Sequence, residues 1–103
     1  VAVAVELGMI TSIEPGIYRP GKHGVRTENL VLTVASSTTE FGEFLGFETL
    51  TLAYIDTTIV LRNLLLPEQI DWLNSYNQLV YDQLKPYLST EEALWLAEKC
   101  KAI

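Results

Sequence analysis

The sequence predicts an α+β fold, in which an antiparallel β-hairpin and short strands are followed by two C-terminal helices. Strand-like apolar runs lie on both sides of a turn signal at Arg19–Lys22, which is the pattern of a hairpin. Apolar and polar residues alternate with period two at Glu48–Leu52, as in a half-buried strand. From Ile70 to Leu84 the apolar residues recur at three- and four-residue spacing, which indicates an amphipathic helix.

The hairpin is predicted to span Met9 to about Ser36. If it closes at Arg19–Lys22, its midpoint is Gly21. Glu14 and Glu28 are equally distant from that midpoint, so the two carboxylates are expected to face each other across neighbouring strands.

The sequence also predicts how the second hairpin strand is covered, and it predicts further strands before and after the hairpin. The second strand of the hairpin, Arg26–Ala35, is apolar on both faces over most of its length, as strands covered on both sides are. The apolar run Val1–Val5 predicts a strand whose neighbours lie elsewhere. A polar turn at Ser36–Thr39 is expected to lead into two short strands, Gly42–Phe47 and Glu48–Leu52.

Two helices are predicted after the strands. Pro67 suits the first position of one helix, and Pro86 forbids its continuation, so that helix is expected to end near Leu84. Ser89 begins a second helix with a capping box, in which Glu92 returns its carboxylate to the Ser89 amide. The predicted apolar face of the second helix consists of Ala93, Leu94, Ala97 and Cys100.

Composition excludes several classes of protein. The chain is 49% hydrophobic and 19% charged, within the range of globular domains. Its net charge of −6 argues against a nucleic-acid surface, where a basic patch is expected. No apolar run approaches the roughly 20 residues of a membrane-spanning helix. The single cysteine, Cys100, excludes an internal disulfide and favours a reducing, cytoplasmic location.

The facing pair Glu14 and Glu28 has two interpretations. Like charges at opposed positions repel, and a pair is tolerated if one carboxyl is protonated or a divalent cation lies between them. The two residues would then be half of a metal site. Alternatively, Pro15 and Gly16 mark a strand that ends in a turn, and both carboxylates are solvated. Spacing alone leaves both interpretations open.

The amino-acid sequence of two segments favours the metal site. Glu14–Tyr18 and Gly24–Asn29 resemble the last two metal-ligand motifs of the pita-bread metallopeptidases, most closely those of aminopeptidase P. Segments further on are similar to the C-terminal extension of the longer members of that family: Phe47–Ala53, Ile55–Thr57 and Ile70–Tyr76. One departure is Tyr54, where the family usually has proline.

The resemblance implies a domain organisation. Residues 1–58 are expected to be the C-terminal part of a pita-bread catalytic domain, and residues 59–103 a helical C-terminal extension. The family's metal ligands come in the order Asp, Asp, His, Glu, Glu, of which only the two glutamates match here. The chain is therefore expected to be a fragment, with the other ligands upstream of Val1.

The resemblance also implies roles for four residues. Glu14 would be a terminal ligand of one metal ion, and Glu28 would bridge two ions. Arg26 and Tyr18 would orient the ligating carboxylates. Without the resemblance, a surface salt bridge is the preferred interpretation of Arg26.

Three conspicuous residues are given no chemical role. His23 is the only histidine, and its place beside the predicted turn indicates an exposed loop residue. Trp72 and Trp95 lie one in each predicted helix, and aromatic residues on amphipathic helices usually pack in the core.

The function implied by the resemblance is that of a dinuclear, manganese-dependent aminopeptidase. Its parent protein would remove the N-terminal residue from peptides with proline in second position, and the 103-residue chain alone would be inactive. Two alternatives stay open: a prolidase-like or other pita-bread hydrolase, and a pita-bread binding module without catalysis. The half-covered apolar strands also predict association, so the chain is a possible homo-oligomer.

Overall fold

The computed structural model describes residues 2–103 and has strands in its first half and helices in its second. This order confirms the predicted α+β class. The five strands are β1 (Ile10–Ile13), β2 (Gly16–Arg19), β3 (His23–Arg26), β4 (Asn29–Thr39) and β5 (Gly42–Thr49). The two helices are α1 (Pro67–Leu84) and α2 (Thr90–Lys99), with short 3-10 turns at Arg62–Leu64 and Lys85–Tyr87.

The chain divides into two compact units, of which the first ends at Thr51 and the second spans Leu52–Ile103. The predicted functional boundary after residue 58 concerns family organisation rather than compactness, and it stays a prediction. No helix found within residues 2–103 is both long and apolar enough to cross a bilayer.

Two antiparallel ladders build the first unit. One is a three-stranded sheet in the order β1-β4-β5, and the other pairs β2 with β3. Gly21 has a φ of +68°, in the left-handed region that glycine adopts readily, and it lies at the tip between β2 and β3. The Lys22 amide closes the turn by donating to the Arg19 carbonyl at 2.9 Å. The predicted hairpin and its midpoint are therefore confirmed.

The β1–β4 and β2–β3 ladders share one register, interrupted where Pro15 lies. Ile13 is opposite Asn29 at the end of one ladder, and Gly16 is opposite Arg26 at the start of the other. Between them, the Thr27 amide donates to the Pro15 carbonyl at 3.3 Å. Proline has no N–H to donate in return, so this pair makes one ladder bond instead of two. The missing bond explains why strand structure stops on either side.

The polar turn predicted at Ser36–Thr39 is wrong. These residues continue β4, which pairs with β5 as far as Thr39 opposite Gly42, with one irregularity in register between Ala35 and Ser37. The turn lies at residues 40–41, where the Phe41 amide donates to the Thr39 hydroxyl at 3.1 Å. At the irregularity β4 has one residue more than β5, as in a β-bulge, and the pairing continues beyond it. The polar composition of residues 36–39 therefore does not mark the end of the strand.

The strand predictions on either side of the hairpin also need correction. Gly42–Phe47 and Glu48–Leu52 are not two strands, because β5 runs unbroken from Gly42 to Thr49 along its partner β4. Of the predicted strand Val1–Val5, Val1 lies outside the described residues, and residues 2–6 are not in a strand. Strands require hydrogen-bonded partners, and residues 2–6 are in none of the ladders formed by the described part of the chain.

Burial along β4 is greater on one face than on the other. Val31 and Thr33 are buried, whereas Leu30 is exposed and Leu32 is intermediate. Within the described residues, burial on that face is limited to Val31 and Thr33, because Ala35 on the same face is exposed. The two-sided cover predicted from the apolar sequence is expected to come partly from outside this chain, and it stays a prediction.

The core of the second unit lies between the two helices. Its buried residues are Tyr76 and Val80 on α1, Leu96 on α2, and Cys100 at the end of α2. Helix α1 begins at Pro67 and ends at Leu84, as predicted. Burial raises the pKa of the Cys100 thiol above its usual value, which is the behaviour of an inert core cysteine.

Two packing predictions for the helices are wrong. Leu94 is exposed and Leu96 is buried, because the stripe that faces α1 follows positions 93, 96, 97 and 100. Trp72 and Trp95 are 54% and 56% exposed, so neither is a core residue. Each ring nevertheless has a partner: Trp72 stacks on Tyr76 at 5.5 Å between centroids, and Trp95 meets the edge of Tyr54 at 5.8 Å.

Asn77 fixes the segment that precedes the helices. It is 1% exposed. Its side-chain oxygen accepts from the Ile55 amide at 2.9 Å, and its side-chain nitrogen donates to the Ile55 carbonyl at 3.0 Å. Beside it, the Tyr76 hydroxyl donates to the Ala53 carbonyl at 3.0 Å. These bonds give an irregular segment the partners that a neighbouring strand would otherwise supply.

The capping box of α2 predicts a pH-dependent contribution to stability. The Glu92 amide donates to the Ser89 hydroxyl at 3.3 Å, and the Ser89 amide donates to the Glu92 carboxylate at 2.8 Å. The bond from the Ser89 amide, and then the one from its hydroxyl, lower the pKa of Glu92. A lowered folded-state pKa stabilises the fold above the ordinary glutamate value of about 4.3, and this contribution disappears as the pH falls through the folded value.

We therefore expect Glu92→Gln to be more destabilising at pH 7 than at pH 3. Urea unfolding at the two pH values measures the difference. Glu91→Gln, at the exposed neighbouring carboxylate, is the matched control. A penalty for Glu92→Gln that is the same at both pH values would contradict the capping role of the charge.

Candidate metal centre

Glu14 and Glu28 lie at the point where the two ladders meet. Glu14 separates β1 from β2, and Glu28 separates β3 from β4. The shared register makes these two residues opposite one another. Since the adjacent pair, Pro15 and Thr27, carries the ladder bond, position 14 and position 28 form a non-hydrogen-bonded pair. In such pairs the Cα atoms are typically about 4.5 Å apart, which is the closest approach that a sheet offers to two side chains.

Three successive pairs share one face of the β2–β3 ribbon. Gly16 is opposite Arg26 and Tyr18 is opposite Gly24, and the carboxylate pair comes next in the same alternation. Alternate residues of a strand lie on the same face. The four residues that the sequence predicts for the site, namely Glu14, Glu28, Arg26 and Tyr18, are therefore brought together on one surface.

Arg26 holds Glu28 directly. Its Nε atom lies 3.0 Å from Oε2 of Glu28, and the two side chains are 51% and 36% exposed. An ion pair this accessible is screened by solvent and contributes little to stability. Its importance is geometric, because it restricts the orientation of a carboxylate that faces another carboxylate.

Tyr18 and both glutamates raise the pKa of Arg26. A hydrogen bond with Tyr18 and then the charge of Glu28 raise the pKa of the Arg26 guanidinium above its ordinary value, and Glu14 acts in the same direction. Arg26 therefore stays cationic at every pH at which a protein is folded. Tyr18 and the Glu28 carboxylate thus both favour the charged form of the guanidinium.

The Tyr18 ring lies over two glycines. A Cβ atom added to Gly24 would lie 2.9 Å from Cδ1 of the ring, and one added to Gly16 would lie 2.8 Å from Cζ. Both separations are shorter than real Cβ contacts. The ring is therefore flat on the ribbon, with its hydroxyl end toward Gly16 and hence toward the opposite residue, Arg26.

The donor chemistry fits a hard divalent cation. Carboxylate oxygens are the ligands that such ions prefer, and a cation relieves the repulsion between opposed like charges. Residues 2–103 contain no group of three or more His, Cys, Asp or Glu side chains that could hold an ion. Glu14 and Glu28 can therefore supply part of a coordination sphere, but they cannot complete one.

His23 lies apart from this cluster. It is the first residue of β3, opposite Arg19 at the exposed end of the ribbon. Glu48 is an exposed residue of β5, and Asp56 is an exposed acid that accepts from the Thr58 amide at 2.9 Å. Neither acid is among the four residues that the sequence predicts for the site.

Gly16 and Gly24 have no role in the sequence-based prediction of the site. A signal exists in the predicted register, which places Tyr18 opposite Gly24 and Arg26 opposite Gly16. What the sequence does not show is the side-chain torsion that lays the tyrosine ring along the ribbon. That torsion depends on the space left by both glycines together.

Family models match most of the chain. The model described as "C-terminal region of peptidase_M24" matches residues 43–103. The model described as "Metallopeptidase family M24" matches residues 2–35, which include both glutamates.

Individual relatives give the same picture. The chain is 42% identical over 99 residues to Xaa-Pro aminopeptidase app-1 of Caenorhabditis elegans, covering 91% of this chain and 16% of the relative. It is 37% identical over 100 residues to Xaa-Pro aminopeptidase 2 of Mus musculus, covering 93% of this chain and 15% of the relative. The chain thus spans about a sixth of the length of these relatives.

A solved structure is also similar. It is described as X-prolyl aminopeptidase from Caenorhabditis elegans, "a cytosolic enzyme with a di-nuclear active site". The TM-score is 0.84 at 39% sequence identity, and the match covers 96% of this chain and 17% of that one.

Proposed function

Since the chain belongs to metallopeptidase family M24, we propose that it supplies two carboxylate ligands to the dinuclear centre of an aminopeptidase. The substrate class is peptides with proline in second position, from which the N-terminal residue is released. The observation that carries this proposal is the opposed pair of Glu14 and Glu28, with Glu28 bound by Arg26 at 3.0 Å. The names of the relatives support the substrate class.

The proposed roles of the two glutamates rest on the resemblance to the family. Glu14 would hold one ion and Glu28 would be shared by two, with Mn²⁺ as the proposed metal. Arg26 fixes the rotamer of Glu28, and Tyr18 fixes Arg26. When bound, a pair of divalent ions supplies Lewis-acid activation of water and of the scissile carbonyl. The remaining ligands and the proton-transferring groups are proposed to come from parts of the protein outside this chain.

Substrate comparison tests the proposal in the longest natural protein that carries the chain. With Mn²⁺ present, we expect release of the first residue from a tripeptide with proline in second position, and little release when alanine replaces that proline. Metal analysis should find two ions per active site. The description of the similar structure as cytosolic supports a cytoplasmic location, which fractionation of cells can test.

The same assay, extended to Xaa-Pro dipeptides, identifies the alternatives. Hydrolysis restricted to Xaa-Pro dipeptides would replace the proposal by a prolidase-like hydrolase. Binding of the tripeptide without hydrolysis, by protein that takes up no metal when Mn²⁺ is supplied, would indicate a non-catalytic binding module. Either result would contradict the aminopeptidase assignment.

The isolated chain of 103 residues is expected to release no N-terminal residue from Xaa-Pro peptides. Two carboxylates cannot hold two ions in the geometry that the chemistry needs, and residues 2–103 offer no larger ligand cluster. The measurement is product release over hours with Mn²⁺ added, using the longer natural protein as positive control. Manganese-stimulated release by the purified chain would show that the site is complete without other ligands.

A further inference from the structure

Gly16 and Gly24 have no conformational reason to be glycine. Among the described residues, only Gly8, Gly21 and Gly42 have a positive φ, so the backbone at positions 16 and 24 suits any L-residue. Glycine in a strand interior costs conformational entropy and leaves no side chain to pack. Two glycines on one face of a short ribbon therefore need another explanation, and the atom that glycine lacks, Cβ, supplies it.

The Tyr18 ring occupies the space that two Cβ atoms would fill. At Gly24 the conflict is with Cδ1 at 2.9 Å, close to the root of the ring, and at Gly16 it is with the hydroxyl end, at 2.5 Å from Oη. The two glycines thus limit the ring at opposite ends. A ring placed between them has its hydroxyl beside Arg26, which is opposite Gly16.

We propose that Gly16 and Gly24 are positioning residues for the metal centre, because their bare backbone seats the Tyr18 ring so that its hydroxyl fixes Arg26, and Arg26 fixes Glu28. All three steps lie on a single face: the ring covers both glycines, its hydroxyl end lies at Gly16, which is opposite Arg26, and the guanidinium binds the Glu28 carboxylate. The part of this inference that concerns metal rests on the proposed function. The part that concerns the seat of the ring does not.

The test uses Gly24→Ala and Gly16→Ala in the longest natural protein that carries the chain. At Gly24 the added methyl meets the base of a rigid ring, which must rotate about its Cα–Cβ bond. At Gly16 it meets the far, hydroxyl end of the same ring. We expect each substitution to lower metal affinity and kcat by about 10- to 100-fold, the usual loss when a group that orients a ligand is removed, with a smaller change in KM. Gly46→Ala is the matched control, since Gly46 is a β5 strand glycine without positive φ whose added Cβ would meet Ser36 instead.

A spectroscopic measurement isolates the ring from activity. With 3-fluorotyrosine incorporated at position 18, the fluorine resonance should move in Gly24→Ala and in Gly16→Ala, and should stay in place in Gly46→Ala. If the resonance moves in neither glycine variant, the proposal that the two glycines position the Tyr18 ring is wrong, whatever the effect on activity. If the resonance moves and metal affinity is unchanged, the glycines do position the ring, but the ring does not position the metal ligand.

A double substitution tests whether the glycines act through the ring. In a Tyr18→Ala background the methyl group at position 24 meets no ring, so Gly24→Ala should add less than about a twofold further loss, as expected for residues that act as one unit. Full additivity would contradict the proposal. If the unaltered protein releases no residue from Xaa-Pro peptides, the proposed function fails, and the fluorine measurement still decides whether the seat exists.

Discussion

Replacing Glu28 by alanine is expected to abolish peptidase activity in the protein that carries this chain and to lower its bound metal. Glu28 is the proposed bridge between two ions, and its substitution also leaves Arg26 with its charge uncompensated. Metal ions supply several kcal/mol of transition-state stabilisation, so their loss corresponds to a decrease in kcat/KM of about 10³-fold or more. Steady-state kinetics and metal analysis of the same preparation measure both effects.

Two control substitutions accompany this experiment. Glu43→Ala removes an exposed carboxylate of β5 without touching the hairpin pair, and His23→Ala removes the only histidine. Both should change kcat/KM less than about threefold, as surface substitutions away from a site do. If His23→Ala and Glu28→Ala caused equal losses, the site would have to extend to the tip of the hairpin, and the assignment of the ligands would be wrong.

Asn77→Ala is expected to lower the free energy of unfolding by about 3 kcal/mol. The substitution removes two hydrogen bonds and leaves the Ile55 amide and carbonyl without their partner in a part-buried place. A net bond contributes about 1 kcal/mol, and an unsatisfied buried group costs about 1–3 kcal/mol. Urea unfolding followed by tryptophan fluorescence measures the change, with the slope of the transition expected to be constant.

The adjacent residue provides the matched control. Gln78 has the same functional group, but its amide nitrogen donates to the exposed Asp82 carboxylate, at 2.9 Å within α1. Gln78→Ala should therefore change the free energy of unfolding by less than about 0.5 kcal/mol. Asn77→Asp should be at least as destabilising as Asn77→Ala at pH 7, because it buries a carboxylate and sets one of its oxygens against the Ile55 carbonyl. Equal effects at positions 77 and 78 would show that the bonds to Ile55 contribute little.

Features set by local chemistry are predictable from the sequence. The hairpin midpoint follows from the turn at Gly21, and the ends of α1 follow from Pro67 and Pro86, because proline and glycine constrain the backbone by themselves. The capping box at Ser89 is equally local. From the midpoint the opposed glutamates follow by counting residues along both strands, which is why the sequence alone predicts this half of the candidate site.

Features that depend on a neighbouring strand or helix are harder to predict from the sequence. Ser36–Thr39 has the polarity of a turn, but pairing with β5 keeps it extended. Leu94 and Leu96 are equally apolar, and only the direction of α1 decides which one is buried. The seat of Tyr18 combines a register with a torsion angle, and the sequence specifies only the first. The bonds from Asn77 to Ile55 join a helix to an irregular segment, for which no periodic pattern exists.

The shared register through the interruption at Pro15 has a consequence for insertions and deletions. The turn at residues 20–22 is exposed, and exposed turns ordinarily tolerate changes in length. Here one added residue that slips the pairing by one would turn Glu28 and Arg26 to the opposite side of the ribbon from Glu14 and Tyr18, because side chains alternate along a strand. The number of residues at the tip is therefore under the same constraint as the identity of the ligands, although no atom of the tip belongs to the site.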